Sequence, residues 1–289
     1  MALQPSDNGG KHSFGGGDGI VDIIKAYSVK EALPCLGKGM RPLAGATNIF
    51  VDTAKKGRTY DGLVDISDIE ELKGIKETED GYIIGSLATF DLAESFFSGK
   101  ESVLYEAAYE MGGPQIRNRA TIGGNICDAS PACDAGPALL VLDAELALVS
   151  EKGERTVKIT DFFRGVRSTD LKPDELLKEI RIRKEDGFSC FKKMGLRNAM
   201  SISIASVALK KTKDGVRLAM GSVAPEPVRL YNCEEYIKDN NLIDKEHLRE
   251  ELKKDISPVS DIRASRKYRS LCAFNMLASS LKEAGYEFI

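Results

Sequence analysis

The chain has 289 residues, enough for about two domains at roughly 150 residues each and enough to bury a core. Its 41 lysines and arginines against 44 aspartates and glutamates leave a net charge of −3, which excludes a strongly basic nucleic-acid binder and gives no overall field for steering acidic substrates. Two histidines and no tryptophan argue against a multi-histidine metal site or a histidine-based hydrolase, while six cysteines lean toward redox chemistry.

Residues 1–19 (MALQPSDNGGKHSFGGGDG) are Gly-rich and polar and are expected to be disordered or tag-like, with His12 functionally silent. They hold no apolar h-region, and no run in the chain approaches 18 apolar residues, so neither a signal peptide nor a transmembrane helix is expected. This points to the cytoplasm, where thiols stay reduced. Cys35, Cys127, Cys133, Cys190, Cys233 and Cys272 include no CxxC pair, so they are read as small buried apolar residues rather than metal or cluster ligands.

Taken in order, Val29–Leu36 reads as a short helix that Pro34 must kink or shorten. From Arg41 a short apolar strand leads into a small-residue turn and then a helix or further apolar run to Val51. Strands follow at 63–66 and 82–84, then a helix over 91–97 with Asp91 as N-cap. A second helix spans 101–111, where Val103, Leu104, Ala107, Ala108 and Met111 recur at helical spacing, and Gly112-Gly113-Pro114 stops it. Residues 115–136, rich in Gly, Asn, Asp and Ser, read as irregular, and 137–143 as helix-like. Residues 144–150 and 155–159 alternate around Lys152-Gly153, a hairpin signal, and 178–183 alternate too. A second hairpin joins 201–210 to 216–224 through Lys213-Asp214-Gly215, and helices over 233–238, 244–254 and 265–284 close the chain. The pattern is α+β, with a mixed first part and a β-then-α second part from about 185 to 289.

GxGxxG, GxxxxGK(S/T), HExxH and GxSxG are all absent, and His247 lies in a polar helix. Two small-residue segments stand out instead: Leu43 to Asn48 (LAGATN) and Ala120 to Asn125 (ATIGGN). Small residues let a backbone approach a ligand closely and present successive N–H groups, a nest that binds phosphate without lysine. Thr47, Asn48, Thr121 and Asn125 add neutral donors, so two such loops could each hold one phosphate of a pyrophosphate.

The stretch from Ile116 to Leu139 (IRNRATIGGNICDASPACDAGPAL) strongly resembles the signature of the FAD-binding medium subunit of the molybdenum hydroxylases, which include xanthine, carbon monoxide and nicotinate dehydrogenases. Residues 44–49 are similar to the family's AGGT segment. The likeness continues at 191–194 with 201–206, at 221–229 and at 261–269, and so covers roughly 20 to 285. It implies a vanillyl-alcohol-oxidase-type FAD-binding domain of two α+β subdomains over 20–184. A C-terminal domain over 185–289 would carry a three-stranded antiparallel sheet and a helical bundle.

It also implies roles. Arg41, Pro42, Leu43, Ala44, Gly45, Ala46, Thr47 and Asn48, with Ala120, Thr121, Gly124 and Asn125, would wrap the pyrophosphate and ribityl chain of FAD. Ile116 and the Gly112-Gly113 turn would lie near the cofactor, Asp128 and Cys133 near its adenosine half, and Asp134 would accept from a ribose hydroxyl. Lys192 would lie near the flavin ring and tune its potential, and Leu177 would pack on the flavin or adenine ring. Ala46 stands where the family has a second glycine; alanine disfavours positive φ, so a different backbone is expected there. Asn48 replaces a commoner Asp, and Cys133 a frequent Ser. With no histidine in either loop, non-covalent FAD is expected.

The function implied is electron transfer. A large molybdopterin-binding partner would hydroxylate the substrate, a small partner with 2Fe–2S clusters would pass electrons to this FAD, and NAD⁺ or another acceptor would take them. No catalytic or metal-ligating residue is assigned to this chain. Two alternatives stand beside this: a stand-alone flavin oxidoreductase of the same fold, and a non-catalytic FAD-binding protein.

Overall fold

The computed structural model describes residues 11–15, 20–56, 60–238, 240 and 242–289. Within the segment expected to lack structure, Lys11–Gly15 forms strand β1, antiparallel to β2 (Ile20–Lys25); the rest of 1–19 lies outside the described residues. Ser28 caps α1 (Val29–Leu36) by accepting the Glu31 amide, and Pro34 sits in the last turn, two residues before the helix ends. β3 (Arg41–Leu43), α2 (Ile49–Lys56) and β4 (Leu63–Asp65) follow. β4 runs parallel to both β2 and β3, which gives a first sheet in the order β1-β2-β4-β3.

β5 (Ile75–Glu77) and β6 (Gly81–Gly85) begin a second sheet, and α3 (Phe90–Phe97), α4 (Ser102–Glu110), α5 (Pro114–Arg117), α6 (Ile122–Asp128) and α7 (Ala135–Val141) intervene before it resumes. β7 (Glu145–Ser150), β8 (Gly153–Lys158) and β11 (Leu176–Arg183) complete it, antiparallel throughout, in the order β5-β6-β11-β7-β8. The small hairpin of β9 (Phe163–Gly165) and β10 (Ser168–Thr169) lies between β8 and β11 in sequence. Ile84, Phe90, Phe97, Ile126, Leu139, Leu146 and Ile180 fill the core of this half.

β12 (Phe188–Gly195), β13 (Ser203–Thr212), β14 (Gly215–Gly221) and β15 (Val228–Arg229) form an antiparallel sheet in that order. The expected three strands are thus joined by a two-residue fourth. α8 (Tyr231–Lys238), α9 (Lys245–Asp255) and α10 (Arg266–Glu283) follow, with β16 (Leu242–Ile243) parallel to β17 (Glu287–Phe288). Among the described residues no helix is long and apolar enough to cross a membrane.

The last large sheet is buried on both faces. Val207, Leu209, Leu218 and Met220 join Leu277 and Leu281 in one core, while Phe191, Ala208 and Ala219 belong to the core of the preceding half. Burial on both faces fits β13, where Ile204, Ala205, Val207, Ala208 and Leu209 are all buried regardless of which face they occupy. Polar groups lock the same junction. Glu101 receives Lys210 Nζ at 2.9 Å and the Ser189 hydroxyl, all three buried, and Glu106 accepts the Phe191 amide.

Two local readings are corrected. The cap of α3 is Thr89, whose hydroxyl accepts the Leu92 amide, so Asp91 lies inside the first turn. The stretch 115–136 is not irregular: α5 and α6 occupy it and α7 begins there. Glycine and asparagine disfavour helix, but Thr121 Oγ1 accepts the Gly124 amide at 3.0 Å, and Ile122 and Ile126 are buried.

Candidate functional site

The two small-residue loops meet. A Cβ placed on Gly45 would lie 2.6 Å from the Arg119 carbonyl carbon and 3.2 Å from the Ala120 nitrogen, so the first loop lies backbone to backbone on the start of the second. Ala46 has φ +64°, the left-handed conformation itself; the expectation that alanine would force a different backbone is therefore overturned, the packing around Gly45 outweighing the local steric cost. The amides of residues 44–48 donate to no backbone carbonyl of the described residues. That leaves them as candidate donors to a ligand.

The second loop is held from beneath. The amides of Ile122 and Gly123 donate to the Ala88 and Ser86 carbonyls, and a Cβ on Gly123 would lie 2.5 Å from the Ser86 oxygen. Gly124 is exposed, and its hypothetical Cβ meets only Thr121 Oγ1. Asn125 Oδ1 accepts the Ala135 amide at 3.2 Å. Thr121, buried, uses its hydroxyl oxygen as the cap of α6, while half-buried Asn125 spends its Oδ1 internally and keeps an amide NH₂ that can donate to a ligand.

Asp134 is buried and paired with Lys193, Nζ to Oδ2 2.7 Å, while its Oδ1 has no hydrogen-bond partner among the described residues. Burial pushes its carboxyl up to about 6, with Lys193 opposing the rise. Lys193 Nζ also donates to the Glu110 carbonyl. Lys192, assigned by resemblance to the flavin ring, bonds Ser279 Oγ and pairs with Glu283, both on α10. Side chains alternate along β12, so Phe191 and Lys193 face the FAD-binding half and Cys190 and Lys192 face α10. Sequence adjacency concealed this; the apolar Phe191 was the available signal for which face turns inward.

Other assigned residues are distributed as follows. Arg41 is exposed, its guanidinium 5.6 Å from the Tyr60 ring centre, Pro42 is half-buried and Leu43 is in the core. Ala120 is buried, and Ile116 is exposed against the Gly112 turn. Asp128 is ion-paired with Arg167 at 2.8 Å. Burial raises the thiols of Cys127, to about 12, and of the fully enclosed Cys133, so neither is a thiolate near neutrality. Leu177 is buried on β11 opposite Leu148. Sequence reasoning missed Lys193, Arg167 and Met200, whose side chain would meet a Cβ on Gly113 at 3.2 Å. Two clefts, of about 190 Å³ around Arg229 and about 430 Å³ around Asn232, include no residue of either loop.

Against known families, residues 19–184 match the FAD binding domain in molybdopterin dehydrogenase, and residues 189–284 match the CO dehydrogenase flavoprotein C-terminal domain. The chain belongs to the FAD-binding subunits of the molybdopterin dehydrogenases. It is therefore an oxidoreductase component with FAD as cofactor. It is 32% identical over 257 residues to the glyceraldehyde dehydrogenase medium chain of Sulfolobus acidocaldarius, covering 85% of this chain and 92% of that one. It is 34% identical over 255 residues to the xanthine dehydrogenase FAD-binding subunit of Escherichia coli O157:H7, covering 84% and 87%. Among solved structures it is similar to reconstituted CO dehydrogenase from Oligotropha carboxidovorans, with a TM-score of 0.84, 26% identity, and 92% and 98% of the two chains covered. These likenesses carry the shared mixed α and β architecture.

Proposed function

We propose that this chain is the flavoprotein subunit of a multi-subunit molybdenum hydroxylase. It takes electrons from 2Fe–2S clusters on a small partner subunit and passes them to NAD⁺ or another acceptor, while a large molybdopterin-binding partner carries out the substrate chemistry. In this reading residues 20–184 are an FAD-binding domain of the vanillyl-alcohol-oxidase type, residues 185–289 are the flavoprotein C-terminal domain, and the chain is cytoplasmic.

The observation that carries the reading is the backbone-on-backbone meeting of the two loops. A pyrophosphate needs close backbone approach and many N–H donors without a clashing Cβ. The amides of 44–48, the exposed Gly124 and the side-chain NH₂ of Asn125 meet that need. FAD, when bound, supplies the exchange of electrons between donor and acceptor. The residues of this chain hold and orient it. Arg41 to Asn48 and Thr121 to Asn125 line the phosphates and ribityl chain, Asp134 Oδ1 offers an acceptor for a ribose hydroxyl, and Lys193 holds that carboxylate in place. Ile116 supplies an apolar edge. The absence of histidine from either loop supports non-covalent binding.

The test is reconstitution of the full chain with FAD. Stoichiometric uptake, with no turnover of purines or aldehydes by the isolated chain, is expected. Turnover by the chain alone would favour a stand-alone oxidoreductase, and failure to take up FAD would overturn the flavin reading. A chain that takes up FAD yet accepts no electrons from any reduced 2Fe–2S partner would favour the non-catalytic alternative.

A further inference from the structure

Arg167 joins the two halves of the loop pair from outside it. It stands at the turn of the β9–β10 hairpin with φ +54°, a left-handed conformation unusual for a residue with a side chain. Its amide donates to the Ala129 carbonyl at 2.9 Å, at the end of α6. Its Nη1 donates to Asp52 Oδ2 at 2.7 Å and to Asp128 Oδ1 at 2.8 Å. Asp52, almost fully buried, lies on α2, which directly follows the first loop. Asp128 ends α6, which opens from the second loop. One guanidinium nitrogen therefore ties together the helices that continue from each loop.

The hairpin tip is docked by these polar bonds rather than by apolar burial, because its neighbour Val166 is 61% exposed. Without Arg167, the Asp52 and Asp128 carboxylates would face each other with that shared cation removed. A cation placed between two acids is a distance constraint on whatever carries them. Here the carriers are α2, which directly follows the first loop, and α6, whose first turn belongs to the second.

We propose that Arg167 is a positioning residue for FAD, a clamp that fixes the separation of the two loops without itself belonging to either. The inference rests on the FAD reading above. Its test is equilibrium titration of the full chain with FAD, together with the visible circular dichroism of the bound flavin and thermal unfolding of the FAD-free chain. Arg167→Gln is expected to lower the stability of the FAD-free chain and, at temperatures where that chain stays folded, to raise the Kd for FAD by about tenfold or more and to alter the flavin dichroism. Arg167→Lys keeps a cation with several donors and is expected to recover most of the affinity. If Arg167→Gln does not fold, Asp128→Asn, which releases only α6, is expected to give an intermediate Kd. A Kd within twofold of the wild type in Arg167→Gln, or in Asp128→Asn if it stands in, overturns the clamp, as does Arg167→Lys no better than Arg167→Gln. Wild-type chain that binds no FAD removes the flavin reading, and the clamp with it. Wild-type binding with an unaffected Arg167→Gln removes the clamp alone.

Discussion

Gly45 lies against the backbone of Arg119 so closely that any side chain there would displace it: a Cβ would stand 2.6 Å from the Arg119 carbonyl carbon. The atom met is backbone, which cannot swing aside as a flexible side chain can. Gly45→Ala is therefore expected to push the loops apart, cost about 1–3 kcal/mol of stability and weaken FAD binding together with it. Urea unfolding and FAD titration check both; wild-type values in both would remove the backbone contact from the account of the site.

Gly124 differs, because it is exposed and meets only the capping oxygen of Thr121. Gly124→Val brings a Cβ to 2.7 Å from the capping Thr121 Oγ1; it is expected to loosen the start of α6 while the rest of the fold persists, as judged by circular dichroism, and to abolish FAD binding by blocking close backbone approach. Full flavin occupancy in that variant would contradict the placement of the phosphates.

Lys193 and Lys192 are adjacent but should behave oppositely. Lys193→Met leaves the buried Asp134 carboxylate without its cation and is expected to cost about 3–5 kcal/mol, with weaker FAD binding. The Lys192 pair with Glu283 is partly solvent-exposed. Lys192→Ala is expected to cost less than about 1 kcal/mol and to leave FAD affinity unchanged. The reverse ranking in unfolding and titration experiments would favour the resemblance-based assignment of Lys192.

Asp134 also gives a pH signature. Its folded carboxyl is raised to about 6 by burial, against about 3.9 in an unfolded chain. The folded state therefore binds the extra proton between those values. The stability this group contributes is fully present below about pH 4 and is lost as pH rises through about 6. The stability of the wild type minus that of Asp134→Asn, measured in the FAD-free chain on either side of about pH 5, is expected to fall with rising pH. A flat or rising difference would contradict the buried, proton-holding carboxyl.

Part of this arrangement is legible in the residues and part is not. Lys152-Gly153 and Asp214-Gly215 mark two hairpins because such turns need glycine's freedom, and both form. The long closing helix declares itself by length and period. The two loops stand out by composition, which names candidate amides but not the fact that Gly45 lies on Arg119. Helix α6 is hidden because its glycines and asparagine oppose helix, whereas its cap and the burial of Ile122 and Ile126 favour it. The choice between Lys192 and Lys193 depends on the facing of β12, which Phe191 decides only once both halves are packed. Arg167 meets Asp52 and Asp128 across 115 and 39 residues of sequence, a pairing that no local pattern contains.

The central claim is that one FAD molecule is held by both loops at once, and hydrogen–deuterium exchange of the full chain with and without FAD tests it most directly. The expected result is simultaneous slowing of exchange at the amides of residues 44–48 and 121–125. Saturating FAD binding with protection of only one segment, or of neither, would contradict it.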